Sequence, residues 1–452
     1  MTDPRLEQTA DQRLARLRAA LDNGRVRRVQ KMLHVLEPAE TALLLESMPQ
    51  DERDIVWGMV PTEDRGEVLL HVPDEVRTNF IHEMEIEDLL AAAEGLEIDD
   101  LADLLEDLPE QVTQQVMRSM DLQNRQRLQA VLSYPPDSAG GLMNIDPVTV
   151  RPDVSLEVVM RYLRLRGSMP ENTNNLYVVD RDDKFIGMVP LSRLVSEDPE
   201  LDIGEIMLSG IRPMEATLPA SEVAKRFETL DLVAAPVVDE KGALLGRITV
   251  DDVMDVIRDE AEHSIMSMAG LDEEDDLFAP IARSARRRAV WLGINLFTAF
   301  LAARVVGMFE ATLDQVVALA VLMPIVASMG GIGGSQTLTL MIRGLAVGSI
   351  GTSNALALFN REMAVALLNG LGWALIVAIV VYLWFGMPLL AGVIAAALVL
   401  NQLVAAASGV LLPLALKRLG IDPALAGSVI LTTVTDIVGF AAFLGLGAIV
   451  LL

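Results

Sequence analysis

Residues 363–416 read MAVALLNGLGWALIVAIVVYLWFGMPLLAGVIAAALVLNQLVAAASGVLLPLAL, a run of 54 residues without one acidic, basic or histidine side chain. A helix crosses the hydrocarbon core of a bilayer in about 20 residues, so this run predicts two crossings. We expect the break at Phe385-Gly386-Met387-Pro388, because Gly and Pro interrupt a helix and permit a tight turn. Three further long stretches, whose only charged residues are Arg304 and Asp436, raise the predicted number of membrane helices to five: Ala289–Phe309, Val316–Ile342 and Pro423–Leu452.

Charge is distributed very unevenly along the chain. The 452 residues carry 63 acidic and 36 basic side chains, a net charge of −27, and no cysteine. Residues 289–452 hold only five acidic and five basic side chains, so the whole net charge lies in residues 1–288. This balance excludes nucleic acid as a partner, since its binding needs an excess of Lys and Arg. Disulfide bonds are excluded because there is no cysteine to form them.

Basic side chains near the predicted membrane helices give the expected orientation. With five crossings, eight of them lie on one side of the membrane: Arg283, Arg286, Arg287, Arg288, Arg343, Arg361, Lys417 and Arg418. Glu310 and Asp314 lie on the other side. Because short loops rich in Lys and Arg stay inside, the sequence predicts a multi-pass protein of the cell (inner or plasma) membrane, with a cytoplasmic N-terminus and Leu452 outside.

One acid lies near the middle of the last predicted helix, in Ser428-Val-Ile-Leu-Thr-Thr-Val-Thr-Asp436-Ile-Val-Gly439. An ionised carboxylate in the bilayer costs several kcal/mol unless it faces water, a cation or a partner, so we expect Asp436 to be functional. Ser428, Thr432 and Gly439 share its face at helical spacing, and this small, polar stripe suits the wall of a pore. The alternative is a buried Asp that caps a neighbouring helix or pairs with Arg304.

The second predicted helix contains Gly330, Gly331, Gly333 and Gly334 within five residues. Each Gly weakens a helix by about 1 kcal/mol relative to Ala. We expect the cluster to allow close helix packing or to turn backbone carbonyls toward an ion path, to which Asn401 of the fourth helix also belongs. The alternative is a plain packing motif.

Oxygen atoms are the available ligands in the predicted membrane region, because the chain has no Cys and no His after His263. Such a set favours a hard cation such as Mg²⁺ over zinc or copper. A single Asp per chain suits an ion that keeps its water, at a site doubled by a two-fold axis.

Residues 1–135 show helical periodicity that restarts at prolines: Pro38, Pro49, Pro61, Pro73 and Pro109. This pattern predicts a stacked array of short helices. Asp99 and Asp103 lie on one helix face at i, i+4, where like charges repel unless a cation bridges them. The alternative is a solvated acidic face.

Two similar units follow, each with an amphipathic helix, two apolar strands around a turn, and another helix. Their strands are expected at 176–180 and 185–189 in the first unit, and at 235–239 and 244–249 in the second. Asp and Lys-Gly mark the hairpin turns. A linker helix over roughly Asp251–Met268 and the acidic stretch 272–276 then lead to the membrane. This connection is rich in carboxylates: Asp252, Asp255, Asp259 and Glu262.

The paired units resemble tandem cystathionine-β-synthase (CBS) domains. Together with Tyr134-Pro-Pro-Asp-Ser-Ala-Gly-Gly-Leu-Met143, Gly330–Gln336 and the segment from Asp422-Pro-Ala to Gly439, they resemble the MgtE family of magnesium channels or transporters, from about residue 30 to the C-terminus. The resemblance implies a multidomain membrane protein with four parts: an all-α helical N domain (1–135), an α/β tandem CBS pair (136–257), a connecting or plug helix with acidic linker (251–282) and a five-helix transmembrane domain (283–452).

The resemblance also implies a homodimer in membrane lipid, with a pore between the transmembrane helices and a Mg²⁺-sensing cytosolic region that closes it. Asp436 matches the Asp that holds the pore ion. Cytosolic Mg²⁺ sites of the family map onto Asp99, Asp103, Asp231 and Asp252, and the linker carboxylates Asp255 and Asp259 are further candidate ligands. Two departures stand out: Ile332 replaces the usual Asn, and His263-Ser264 replace acids.

A nucleotide site between the CBS units is a further implication of the resemblance. Thr249 and Asp252, in Gly246-Arg-Ile-Thr249-Val-Asp-Asp252, are similar to the family's ribose-binding pattern, which suggests ATP. Pro190 and Arg193 at the equivalent places of the first unit argue against a second site.

We therefore expect passive Mg²⁺ influx gated by cytosolic Mg²⁺, since no Walker motif occurs to couple transport to ATP. One alternative is a secondary transporter that couples a divalent cation to Na⁺ or H⁺. Another is a membrane-tethered CBS sensor of nucleotide or metal that transports nothing. An enzyme is not expected, because no nucleophile–base pair or catalytic metal cluster is evident.

Overall fold

The computed structural model describes residues 10–94, 96, 98–120, 122–170, 172–271, 276–351 and 353–452. These residues fall into two compact units: the first contains 10–262 with 276–279, and the second contains 263–271 with 280–452. The first nine residues of the predicted N domain and residues 272–275 of the predicted acidic stretch lie outside the described residues.

Ten short helices, counted within the described residues, form a helical array at the start of the first unit. They are α1 (Ala10–Asp22), α2 (Val26–Leu33), α3 (Pro38–Glu46), α4 (Gln50–Trp57), α5 (Arg65–His71), α6 (Asp74–Glu83), α7 (Ile86–Glu94), α8 (Ile98–Asp107), α9 (Glu110–Ser119) and α10 (Leu122–Val131).

Prolines start most of the helices that were expected to begin with them. Pro38 is the first residue of α3, and Pro49, Pro73 and Pro109 immediately precede α4, α6 and α9. Proline suits the first helical position, as at Pro38, because its fixed φ is helical and its missing N–H is not needed in the first turn. The expectation fails at Pro61, which precedes a turn that leads to α5 at Arg65.

The two repeats that follow share the order strand, helix, strand, strand, helix, and the first ends with one additional short helix. The first contains β1 (Thr149–Val150), α11 (Leu156–Arg166), β2 (Asn175–Val179), β3 (Phe185–Pro190), α12 (Leu191–Ser196) and α13 (Ile203–Ile206). The second contains β4 (Met214–Glu215), α14 (Ala220–Leu230), β5 (Ala234–Val238) and β6 (Leu244–Thr249), and then the linker helix α15 (Val250–Met268).

Each repeat forms a three-stranded sheet in which a short parallel strand joins the predicted hairpin. Both hairpins shift register at the same place, Val178/Val179 in one and Val237/Val238 in the other. Asp180 and Asp239 each accept two backbone N–H bonds within the turn, at 2.8–2.9 Å. The predicted duplication is therefore confirmed, although β1 and β4, two residues each, were not foreseen because so short a strand leaves no periodic pattern.

The first unit contains two separate hydrophobic cores of unequal size. The helical array shares one continuous core with the second repeat, including Val29, Phe80, Phe227 and Ile248. The first repeat has a separate core, from Val148 to Ile206.

Five long apolar helices and one short helix make up most of the described part of the second unit. They are α16 (Ile281–Gly307), α17 (Glu310–Gln315), α18 (Ala318–Ala346), α19 (Ala355–Phe385), α20 (Pro388–Arg418) and α21 (Pro423–Leu451). All except α17 are long and apolar enough to cross a membrane. The break in the 54-residue run falls where predicted, since α19 ends at Phe385 and Gly386 takes a left-handed conformation at φ 67°.

Two helix starts differ from the expectation. Helix α16 begins at Ile281 and so includes the basic cluster that was expected to precede it. Helix α19 begins at Ala355, so Arg361 and Glu362 lie inside it rather than in the loop. Arg and Glu have high helix propensity, and charge therefore marks the end of an apolar span more faithfully than the end of a helix.

Candidate functional site

A cavity of about 950 Å³ opens along α18 and α21 in the second unit. Its wall comprises Ala327, Ser328, Gly331, Ile332, Ser335, Gln336, Thr339, Leu340, Thr432 and Asp436. Most of these side chains are small or carry a neutral polar group, and Asp436 is the one charged residue among them. We call this the acid-lined cavity.

Asp436 and Thr432 lie one turn apart on α21, so both face the cavity. No described side chain forms an ion pair with Asp436, and the alternative partner Arg304 is exposed on α16. The Thr432 hydroxyl donates to the Ser428 carbonyl at 2.9 Å. Ser428 is half-buried one turn before Thr432 and is not part of the cavity wall.

The glycine cluster lies within a continuous helix α18, and its members face different neighbours. A Cβ at Gly330 would lie 2.1 Å from Asn401 Nδ2, and one at Gly333 would lie 2.2 Å from Gln402 Oε1. Gly334 packs on α21 in the same way. Only Gly331, of the four, has nothing within 4 Å of an added Cβ, and it lines the cavity. Three glycines therefore allow close packing, and the fourth keeps the cavity wall open.

Asn401 lies behind the cavity wall. Its side chain is fully buried, and Nδ2 donates to the Val326 carbonyl of α18 at 2.9 Å. The neighbouring Gln402 donates through Nε2 to the Met329 carbonyl, also at 2.9 Å. Gly439 touches Asn401 as well, since a Cβ there would lie 2.7 Å from Nδ2. The structure thus brings Gly330, Asn401 and Gly439 together as a packing contact, apart from Asp436 and Thr432 on the wall.

Sequence reasoning missed Glu362, which is 5% exposed on α19. Its Oε2 accepts a bond from the Thr337 hydroxyl of α18 at 3.3 Å, and its Oε1 lies 2.6 Å from Arg361 Nη1. The available signal was an acid directly before the 54-residue run. This signal is weak, because an acid beside an arginine at the edge of an apolar run is also typical of a loop.

The predicted cytosolic metal ligands occupy separate local settings. Asp103 is exposed on α8; Asp99 lies on the same helix, but its side chain is outside the described residues. Asp231 ends α14 in a left-handed conformation at φ 51°. Asp255 and Asp259 both pair with Arg258, at 2.9 and 3.3 Å. No group of three or more His, Cys, Asp or Glu within the described part of the chain is arranged to hold a metal ion.

Asp252 and Thr249 are bonded to each other at the start of the linker helix. Asp252 Oδ2 accepts from both the backbone N–H and the hydroxyl of Thr249, each at 2.9 Å. The same hydroxyl also bonds the carboxylate of Asp251. Burial raises the pKa of the Asp252 carboxyl to about 6. The two residues proposed for ribose are therefore adjacent, with their hydrogen bonds made inside the protein.

The two departures from the family pattern both have defined positions in the second unit. His263 Nε2 lies 3.3 Å from Asp422 Oδ2 and 3.3 Å from the Ser267 hydroxyl. Asp422 caps α21, where its Oδ1 accepts from the N–H of Ala424 at 2.9 Å. Ile332 is 58% exposed on the wall of the acid-lined cavity.

Three family profiles match the chain. The profile described as a divalent cation transporter covers residues 323–446, the MgtE intracellular N domain covers 36–137, and the CBS domain covers 139–200 and 203–259. The first of these spans both helices of the acid-lined cavity. The class of protein is therefore a multi-pass membrane transporter of divalent cations.

Curated relatives narrow the class to one family. The magnesium transporter MgtE of Thermus thermophilus is 32% identical over 440 residues, which are 96% of this chain and 98% of that protein. The magnesium transporter MgtE of Bacillus subtilis is 30% identical over 440 residues, 97% of each chain. The solved cytosolic domain of the Mg²⁺ channel MgtE in complex with ATP is 31% identical, covers 54% of this chain and 99% of that chain, and has a TM-score of 0.49. The chain belongs to the MgtE family of magnesium transporters.

Proposed function

We propose that this chain forms a homodimeric, Mg²⁺-selective channel for passive influx, gated by Mg²⁺ in the cytosol. The observation that carries the proposal is the acid-lined cavity, where one carboxylate has no ion-pair partner among the described residues. It faces a wall that consists mostly of small and neutral polar groups, together with Ile332 and Leu340. Mg²⁺ dehydrates reluctantly, so it would cross largely as a hydrated ion. Ser328, Ser335 and Thr432 offer oxygens to its water, while Asp436 supplies the charge.

A two-fold copy of the chain would complete this path. One Asp436 supplies one negative charge, whereas two facing copies would balance one Mg²⁺. The membrane potential then suffices as a driving force, because it contributes about 2.3 kcal/mol per charge per 100 mV, or about 4.6 kcal/mol for Mg²⁺. The expected orientation, with the acidic half inside, follows from the basic residues at the helix ends.

The proposed gate depends on the acidic half of the chain. The net charge of −27 lies wholly in residues 1–288, where it is self-repelling. A cation that binds one arrangement more tightly shifts the population toward it. We take that arrangement to be the closed one, with carboxylates of the proposed N domain (1–135), CBS pair (136–257) and linker (251–282) as ligands. The described residues that we assign to it are Asp103, Asp231, Asp252, Asp255 and Asp259.

ATP binding is the remaining part of the proposal. Thr249 and Asp252 would hold the ribose at the end of β6, and the ligand would replace the bonds these residues now make to each other. Binding of radiolabelled ATP by the purified protein should weaken at least about tenfold in Thr249→Val, because a buried hydrogen-bonding site rejects a ligand when its donor is removed. Equal binding by the wild type and this variant would exclude the assignment.

Flux through proteoliposomes tests the channel directly. We expect Asp436→Asn to lower Mg²⁺ uptake to the level of empty vesicles, because the amide removes the charge from the path. Asp314→Asn is the matched control: an acid on the short helix α17, exposed and outside the cavity. Full uptake by Asp436→Asn would contradict the channel path. Wild-type uptake that requires a Na⁺ or H⁺ gradient would favour a coupled transporter, and absence of uptake would favour a sensor.

A further inference from the structure

The first unit buries one arginine against one aspartate. Arg53 Nη1 lies 2.7 Å from Asp276 Oδ2, and Nη2 lies 2.8 Å from Oδ1, so the guanidinium and the carboxylate meet through two parallel bonds. Both side chains are 2% exposed. The residues are 223 positions apart in the sequence. Surface ion pairs contribute little, but a buried, bidentate pair is tightly oriented.

Backbone groups and the Glu75 carboxylate complete the bonding of this pair. Arg53 also donates through Nε to the Leu45 carbonyl and through Nη2 to the Met48 carbonyl, both at 3.0 Å. Asp276 donates its own N–H to Glu75 Oε2 at 3.3 Å and accepts from the N–H of Phe278 at 2.9 Å. Residues from α3 to α6 of the helical array thus form a socket that holds the segment 276–279. A buried ion pair with this many bonds resists displacement, because either partner alone would be left uncompensated.

The segment 276–279 lies close in sequence to the first membrane helix. Asp276 precedes Ile281, the first residue of the membrane helix α16, by five positions. Five residues span at most about 18 Å when fully extended, so little slack separates the two. The helical array and the start of α16 are therefore joined by a short covalent connection.

We infer that Arg53 and Asp276 form a latch, through which the helical array acts directly on the first membrane helix. This connection is separate from the linker helix α15, which follows the second repeat in the chain. The inference deepens the gating part of the proposed function, because it names a second connection between the acidic half and the membrane helices. It also stands on its own geometry, so its test uses no measurement of flux.

Hydrogen exchange of the full-length wild-type protein tests whether the latch exists. The N–H groups of Asp276 and Phe278 should exchange at least about tenfold more slowly than unprotected amides, because both donate bonds inside the socket. In Asp276→Asn that protection should fall at least about tenfold, since the amide cannot form the charged bidentate pair. The matched control is Glu52→Gln, which removes a half-buried pair with Arg18 from the position beside Arg53. Unprotected amides in the wild type would overturn the inference without any variant.

Labelling of a single cysteine tests whether the latch transmits movement to α16. The chain has no cysteine of its own, so Ala282→Cys places a unique thiol on an exposed position in the first turn of α16. Its maleimide labelling should accelerate severalfold when Asp276→Asn is added and stay unchanged with Glu52→Gln. Equal labelling rates with an intact and a broken latch would overturn transmission. Because neither readout uses transport, a failed Mg²⁺ flux assay would count against the channel and not against the latch.

Discussion

Asp436 and Asp276 are both aspartates, but one faces a cavity and the other is buried in an ion pair. Asp436 faces the acid-lined cavity without an ion-pair partner among the described residues. Asp276 is sealed in the socket of the helical array and bonded to Arg53 through both oxygens. A carboxylate can bind a cation only while its oxygen lone pairs are available. The lone pairs of Asp276 already accept hydrogen bonds from the protein. Acid density therefore does not locate the proposed ion path, which lies in residues 289–452 with only five acids.

The largest expected effect separates these two residues by their influence on stability. Asp276→Ala should lower the free energy of unfolding of the first unit by about 3–5 kcal/mol, because it leaves the Arg53 charge buried without its partner. Asp436→Asn should cost no stability, since it removes an ionised group from an apolar region. Calorimetry of the detergent-solubilised full chain compares the two. A larger loss of stability for Asp436→Asn than for Asp276→Ala would reverse our assignment.

Adjacent glycines on α18 allow the wall and the packing behind it to be compared. Gly330→Ala should destabilise the second unit by about 1–3 kcal/mol, because its Cβ would overlap Asn401 Nδ2. Gly331→Ala meets open space and should stabilise α18 by up to about 1 kcal/mol. It should nevertheless slow Mg²⁺ uptake, since the methyl group projects into the cavity. Thermal unfolding and flux are measured on both variants, and equal stability of the two would contradict the packing.

Asp252 gives a smaller effect that depends on pH. Its folded-state pKa of about 6 lies above the usual value of 3.8, because burial disfavours the charged form. Its stabilising contribution is therefore complete below about pH 4 and is lost as pH rises through about 6. Asp252→Asn should remove this dependence and keep an acceptor for the Thr249 N–H. Unfolding temperatures in EDTA at pH 5 and pH 7.5 provide the measurement, and the wild type and the variant should differ more at pH 7.5. An equal difference at both pH values would contradict the raised pKa.

The smallest expected effect concerns the contact of His263 with Asp422. His263→Glu would place a second carboxylate beside Asp422, where like charges repel unless a cation lies between them. The variant should therefore gain more thermal stability from added Mg²⁺ than the wild type does. His263→Gln is the control, because it removes the ring without adding charge. An identical Mg²⁺ response of all three proteins would show that this contact does not respond to cations.

The features best predicted from sequence are those that short-range physics fixes. An uncharged run of 54 residues is long enough to cross a bilayer twice. Gly386 and Pro388 mark the turn, because Gly adopts the left-handed backbone conformation and Pro starts the next helix. The hairpins around Asp180 and Asp239 could be recognised because each repeat provides a copy of the other. The same reasoning selected Asp436, since a carboxylate inside an apolar helix needs a reason to be there.

Features that depend on contacts distant in sequence could not be predicted. Periodicity groups residues on a helix face but does not say which way the face points, so Gly331 on the wall and Gly330 in the packing looked alike. Arg53 and Asp276 are 223 positions apart, and neither carries a local signal of burial. Glu362 resembles a loop acid because the apolar span starts after it, although helix α19 already begins at Ala355.

The shared core of the helical array and the second repeat has a consequence for how the chain folds. Since Phe80 and Ile248 belong to one apolar cluster, these two parts form a single cooperative folding block. The first repeat has its own core and joins that block through backbone bonds between the two hairpin turns, Phe185 N–H to the Gly242 carbonyl and Leu244 N–H to the Asp183 carbonyl, both at 3.0 Å. During synthesis, the core of the helical array therefore remains incomplete until β4–β6 have left the ribosome. The end of β6 lies more than a hundred residues after the end of α10.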